Sequence, residues 1–300
     1  MLRRAIWALA IAVSLAAPVA VHAQGDYLDV FIVKVKPEKL ADFQTLTKKW
    51  IDANRKFNGD HWLAMATVYG EGDVYQFTSP RQDYADIDKA NEAAMAAASK
   101  AFGKEVAEKV ERDFANCLVW SRAELRRRRP DLSRKVPPDA AAYAKFIGES
   151  RVLRTTAVHV RPGHVPEFEA FLKEFKEAGE KVADAQPVFV SQVVEGGKGA
   201  TFYITALRSS LGGFDKNPTL LQILGEEGVK KFQKVNAESV EETQSAILRF
   251  SPELSNPAED IASASAEFWH PKAMMAAASK PKAPVAKTSE MKPATEKQKP

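Results

Sequence analysis

The feature that most constrains the fold is that the chain is written twice. Val33-Lys34-Val35-Lys36-Pro37 returns as Val158-His159-Val160-Arg161-Pro162, and the hydrophobic runs, turns and prolines that follow keep their order in both copies. Such a chain must build two similar units and give each a partner surface, because an amphipathic element is stable only when its apolar face is covered.

Each copy reads as the same series of elements. Residues 29–36 and 155–161 alternate and are rich in β-branched side chains, so they are expected strands, each closed by a proline that cannot continue the ladder. A helix follows, with Leu40, Phe43, Leu46 and Trp50 at three- or four-residue spacing, matched by Val165, Phe168, Phe171 and Phe175. Residues 62–69 and 188–194 predict second strands, each ending in a glycine-containing hairpin, and 74–78 and 201–205 predict third strands. Arg81 matches Arg208, and a helical region containing Phe102-Gly103 or Leu224-Gly225 comes next. Fourth strands are expected at 123–129 and 245–251, halted by Pro130 and Pro252, and a short extra helix closes each copy, at 137–146 and 257–268.

The order β-α-β-β-α-β is the ferredoxin-like arrangement, an α+β fold with an antiparallel sheet. On this order and on the internal repeat, residues 27–269 resemble the dimeric α/β-barrel superfamily, in which two such units place their sheets face to face. Here both units share one polypeptide, so the expected architecture is a tandem ferredoxin-like, intrachain dimeric α/β-barrel. The resemblance implies a range of activities: cofactor-independent monooxygenases acting on aromatic substrates, haem-degrading enzymes, and haem proteins that decolorise dyes or decompose chlorite. Haem-degrading members carry an asparagine on the first strand together with a tryptophan and a histidine. The corresponding strand positions here are Lys34 and His159, so that activity is not transferable.

The ends of the chain have another character. Residues 1–23 join Arg3 and Arg4 to an apolar run and to Val21-His22-Ala23, the pattern of a cleavable export signal, which predicts a periplasmic or secreted protein with no membrane anchor after cleavage. Repeat 1 is then 24–150 and repeat 2 is 151–270. Residues 271–300 are rich in Lys, Ala and Pro without hydrophobic period, which predicts a disordered basic tail able to contact anionic envelope surfaces. The chain carries a net +4, of which the signal holds +2 and the tail +5, leaving the body at −3. Nucleic acid is therefore not an expected partner. The single cysteine, Cys117, has no partner for an internal disulfide.

Motifs for chemistry are sparse. The histidines lack ligand spacing, so no metal site is expected, and no cofactor is required by the sequence. Arg126 to Arg129 is the densest charge in the body, expected to be partly solvated and paired with Glu124 or Asp131. Comparing the copies exposes polar positions on the central strands: His159, Tyr203 and Arg249 in the second, Lys34, Gln76 and Arg127 in the first. If His159, Tyr203 and Arg249 share a face, they form a candidate pocket for an anionic or oxygenated small molecule, with His159 as general base and Arg249 steadying an oxyanion. The leading expectation is a small-molecule binding or cofactor-independent monooxygenase-like pocket in the second repeat. Its rivals are a non-catalytic cell-envelope scaffold or interaction protein and, resting on His159 alone, haem binding.

Overall fold

The computed structural model describes residues 25–270; the expected signal segment and basic tail lie outside the described residues. The first half runs β1 (Tyr27–Val35), α1 (Leu40–Phe57), β2 (Leu63–Tyr69), β3 (Val74–Arg81), α2 (Tyr84–Phe102), α3 (Lys104–Asn116), β4 (Leu118–Arg128) and α4 (Ala140–Glu149). The second runs β5 (Val152–Val160), α5 (Val165–Lys181), β6 (Phe189–Glu195), β7 (Ala200–Arg208), α6 (Leu220–Ser239), β8 (Val240–Phe250), α7 (Glu259–Ser263) and α8 (Ala266–Trp269).

All eight strands join one closed antiparallel barrel in the order β1-β3-β2-β8-β5-β7-β6-β4. Each half supplies a four-stranded sheet, and the two seams, β2 on β8 and β4 on β6, pair one half with the other. Closure leaves no strand edge unpaired, which removes the hazard an open edge presents. The segment after each fourth strand reaches across its seam. Ser133 Oγ accepts the Val190 N–H and donates to the Arg129 carbonyl, and Ser255 Oγ does the same with Ala64 and Ser251. One residue further on, Arg134 bridges to Val188 and Asn256 to Trp62.

The helices cover the outside. Phe43 and Leu46 of α1 pack on Val33 and Val35, while Phe168 and Leu172 of α5 pack on Val158, Val160 and Phe202. The expected stripe of α1 and the Val165 and Phe168 part of that of α5 thus face the sheet, whereas Phe171 packs on Phe232 of α6 and Phe175 under Arg134; the strand residues Lys34 and His159 point into the barrel. Gly103 separates α2 from α3 with φ 81° and ψ 152°, and Gly225 interrupts α6 with φ 67° and ψ 179°. This backbone region is essentially open only to glycine, which explains why both copies keep one there.

Two expectations need correction. The fourth strands begin five residues earlier than predicted, at Leu118 and Val240, because the polar starts of these strands extend the ladder without showing an apolar period. The extra helix of the second copy is two short pieces, α7 and α8, and it packs on its counterpart from the first. Gly148 of α4 lies so close to α7 that a Cβ there would sit 2.4 Å from the Ile261 carbonyl, and buried Trp269 donates from Nε1 to the Gly148 carbonyl at 2.8 Å. Tyr143, Ile147, Ile261 and Trp269 close one end of the barrel against Met65, Leu153, Leu207 and Phe250.

Candidate functional site

The polar strand positions do not meet as one group. His159 faces inward at the barrel end away from α4, where its Nδ1 lies 2.7 Å from Thr201 Oγ1, and that hydroxyl donates to the Lys198 carbonyl at 2.6 Å. Tyr203 also faces inward, paired with Ala157 two residues along β5, about 7 Å from the His159 level. Arg249 is exposed on the outer surface. The antiparallel register sets it opposite Val152, whereas Leu248 and Phe250 take the inner positions. The expected convergence therefore fails by one residue on β8, and Arg127 on β4 is turned outward in the same way.

Arg126 takes the inner place instead. Its guanidinium lies over the Tyr203 ring, 3.4 Å from the centroid, and its Nε donates to Glu124 Oε2 at 2.9 Å. The Tyr203 hydroxyl donates to Glu124 Oε1 at 3.3 Å, and burial pushes the phenol's pKa up. The expected pairing of this arginine run is present, with Arg129 on Asp131 at 2.7 Å, but Arg126 and Glu124 are buried. Beside this network lies an interior cavity of about 280 Å³, apolar at its α4 end and bordered by Arg126, Arg128, Gln76 and Thr155.

A second hollow, about 430 Å³ and more open to solvent, lies outside the barrel between the first-half sheet and helices α1 to α3. Phe31 and Phe77 form its sheet wall, and Trp50, Trp62 and Phe114 surround it with aromatic faces. Asp29, Asp60 and Arg81 supply a charged corner. Arg81 gives its fork to Asp60, with Nη1 to Oδ1 at 2.8 Å and Nη2 to Oδ2 at 2.6 Å. Asp29 is left with one contact to Nη2 at 3.5 Å. Burial raises the Asp29 pKa, opposed by the Arg81 charge and reinforced by Asp60. A carboxylate with raised proton affinity beside an aromatic-lined hollow is suited to take a proton from a bound molecule.

Local sequence holds this corner in place. Asn54, buried near the end of α1, accepts the Asp60 N–H at Oδ1 and donates from Nδ2 to the Trp50 carbonyl, both at 2.8 Å. Gly59 fits beneath it because any Cβ there would sit 2.0 Å from Asn54 Oδ1. From across the seam, Asn256 Nδ2 donates to the Asp60 carbonyl at 2.6 Å. Sequence reasoning passed over Asp29 and Asp60. Their signal was a charge difference between the copies, since the matching positions in the second are Arg154 and Gln186. The expected location in the second repeat is thus not where this hollow lies. Among the described residues, no group of three or more His, Cys, Asp or Glu side chains is arranged to hold a metal, and no helix is long and apolar enough to cross a membrane.

No family model matches the sequence, and no curated protein does. Among solved structures, the chain is similar to an anthrone oxidase-like protein, at 14% identity and TM-score 0.48 over 77% of this chain and 94% of that one. It is similar to a heme-binding protein from Thermus thermophilus, at 13% identity and TM-score 0.43 over 77% and 94%. It is also similar to the chlorite dismutase of Candidatus Nitrospira defluvii, at 7% identity and TM-score 0.43 over 77% and 93%. By its own strand order and connections, the chain has the fold of the dimeric α/β-barrel proteins, with both halves carried by one polypeptide.

Proposed function

We propose that the protein binds a small aromatic molecule bearing an acidic hydroxyl or enol in the first-half hollow, with Asp29 accepting its proton and Arg81 steadying the resulting anion. The observation that carries this reading is the placement of Asp29: held by one long contact to an arginine already paired, raised in pKa by burial, and open to a hollow walled by five aromatic rings. Such a hollow buries a flat ligand, and its few convergent polar groups set the ligand's orientation. Asp60 holds the Arg81 fork in a fixed plane, so the positive charge beside the reacting atom costs little reorganisation. This moves the small-molecule or monooxygenase-like pocket from the second repeat to the first. A haem reading gains nothing here, since no histidine borders the hollow and His159 is bonded to Thr201 inside the barrel. Export directed by residues 1–23 belongs to the same proposal, and fractionation of expressing cells tests it.

The test of the site uses 4-nitrophenol, whose ionised form is yellow. Wild-type protein quenched in its tryptophan fluorescence by the probe, and holding it ionised below the pH at which the free probe ionises, is the expected result. Calorimetry in buffers of different ionisation enthalpy should show wild-type protein taking the probe's proton itself, whereas Asp29→Asn keeps the quenching and the ionised band, which Arg81 stabilises, and releases the proton to the buffer. An unbound probe, or equal proton release by both proteins, refutes the assignment.

A further inference from the structure

The second copy of the charged corner has been rebuilt with positive charge. Through the repeat, Asp29, Asp60 and Arg81 correspond to Arg154, Gln186 and Arg208, so the arginine persists while both of its carboxylates are gone. A third arginine enters from across the seam. Arg134 stands where the first copy has Asn256, and both make the equivalent bridge to the second strand of the other half. Asn256 is short and donates to the Asp60 carbonyl. Arg134 lies along α5, with its guanidinium 4.9 Å from the Phe175 ring centroid and its Nε donating to the Gln186 carbonyl at 3.3 Å. Gly179 makes room for it, since a Cβ there would meet Arg134 Cδ at 2.6 Å.

The three guanidiniums share one neighbourhood. Arg154 and Arg208 lie on the same outer face of the sheet and both approach Phe214, at 4.6 and 5.5 Å from its centroid. Arg208 reaches the Leu207 carbonyl and Asn217 Oδ1, both uncharged. Among the described residues, no carboxylate lies within ion-pair distance of any of the three. Glu180 is the acidic group that Arg134 feels, and its Oε1 already accepts the Lys135 N–H at 2.7 Å. Arg134 and Arg208 are nearly buried, and Arg134 Nη1 and Arg208 Nε have no hydrogen-bond acceptor. Burial, then the charges of Arg134 and Arg154, push the Arg208 pKa down to about 10. A guanidinium keeps its proton at neutral pH, so this repulsion persists until a negative group answers it.

We propose that Arg134, Arg154 and Arg208 form a binding site for an oxyanion, the phosphate or carboxylate group of a small metabolite, entered past exposed Arg154. Planar guanidinium forks suit both groups. The experiment is thermal unfolding and titration calorimetry of the protein with inorganic phosphate or succinate, at ionic strength held constant with sodium chloride. Wild-type protein should show a saturable rise in Tm and measurable heat. Arg154→Gln, changed at an exposed position, should weaken binding about tenfold or more, the value of a charge-assisted hydrogen bond. Arg154→Asp restores the first copy's carboxylate; it should melt higher than wild type without added anion and lose the response to it. Because phosphate also stabilises proteins by exclusion from their surfaces, the comparison with Arg154→Asp is the deciding one. Equal responses in wild type and Arg154→Asp, or no response beyond that to chloride, overturn the proposal.

Discussion

Removing Glu124 should destabilise the barrel strongly, because it leaves a buried arginine without its carboxylate. The Glu124 carboxylate is buried, accepts hydrogen bonds from Arg126 Nε at 2.9 Å and from the Tyr203 hydroxyl at 3.3 Å, and is ion-paired with Arg126 Nη2 at 2.7 Å and Arg122 Nε at 2.9 Å. The Arg122 side chain is 50% exposed, and a pair with one partner in water contributes at most about 1 kcal/mol. Arg126 is the deciding partner, being 3% exposed. In Glu124→Ala it keeps only the Tyr203 ring, a contact of about 0.5–2 kcal/mol, against an uncompensated buried charge costing about 3–5 kcal/mol. For a domain of this size that corresponds to a Tm lower by about 6–20 °C. Glu124→Gln keeps a carbonyl acceptor and should lose less. The double variant Glu124→Leu/Arg126→Met removes both charges with similar volume and should recover most of the loss. Urea unfolding followed by tryptophan fluorescence measures all three. A loss below about 1 kcal/mol in Glu124→Ala, or no recovery in the double variant, would refute the reasoning.

Other consequences follow from the fold. Gly225→Ala should cost about 1–3 kcal/mol because of its φ of 67°, while Gly72→Ala, with open space around its Cβ position, should be near neutral in the same urea titration. Trp269→Ala empties a fully buried site and should cost about 3–5 kcal/mol. Gly148→Ala should loosen the same barrel end by pushing Ile261 away, visible as faster amide exchange in α7. Asp131 has its pKa lowered, first by the hydrogen bond from Arg129. Its contribution is therefore present above the ordinary carboxylate value of 3.8 and lost as pH falls below it, so Asp131→Asn should flatten the acid limb of a Tm–pH profile.

The duplication made the architecture legible because prolines, turn glycines and apolar stripes answer to local geometry, which a strand or helix imposes wherever it sits. The face presented by β8 was not legible. In Ala246-Ile247-Leu248-Arg249-Phe250 apolar residues fall on both faces, so alternation cannot choose between them, and only pairing with Val152 and Leu153 fixes the choice. The starts of β4 and β8 were missed for a related reason. Val240-Glu241-Glu242-Thr243 continues the polar character of α6, and its extended form is set by the neighbouring β5. The charged corner depends on longer-range placement still. Asp29 and Asp60 come together only through the turn that Asn54 and Gly59 build after α1.

The barrel's interior shows what joining the halves permits. In an assembly of two identical subunits, every side chain near the symmetry axis is present twice, so one buried arginine entails a second and any change is made in duplicate. Here the inner row of β4 is Arg122, Glu124, Arg126 and Arg128, while the matching row of β8 is Gln244, Ala246, Leu248 and Phe250. One wall has become ionic and the other apolar, a combination that a strict two-fold axis forbids. The covalent link thus gave each half its own mutational history while leaving them to share a single shell of strands.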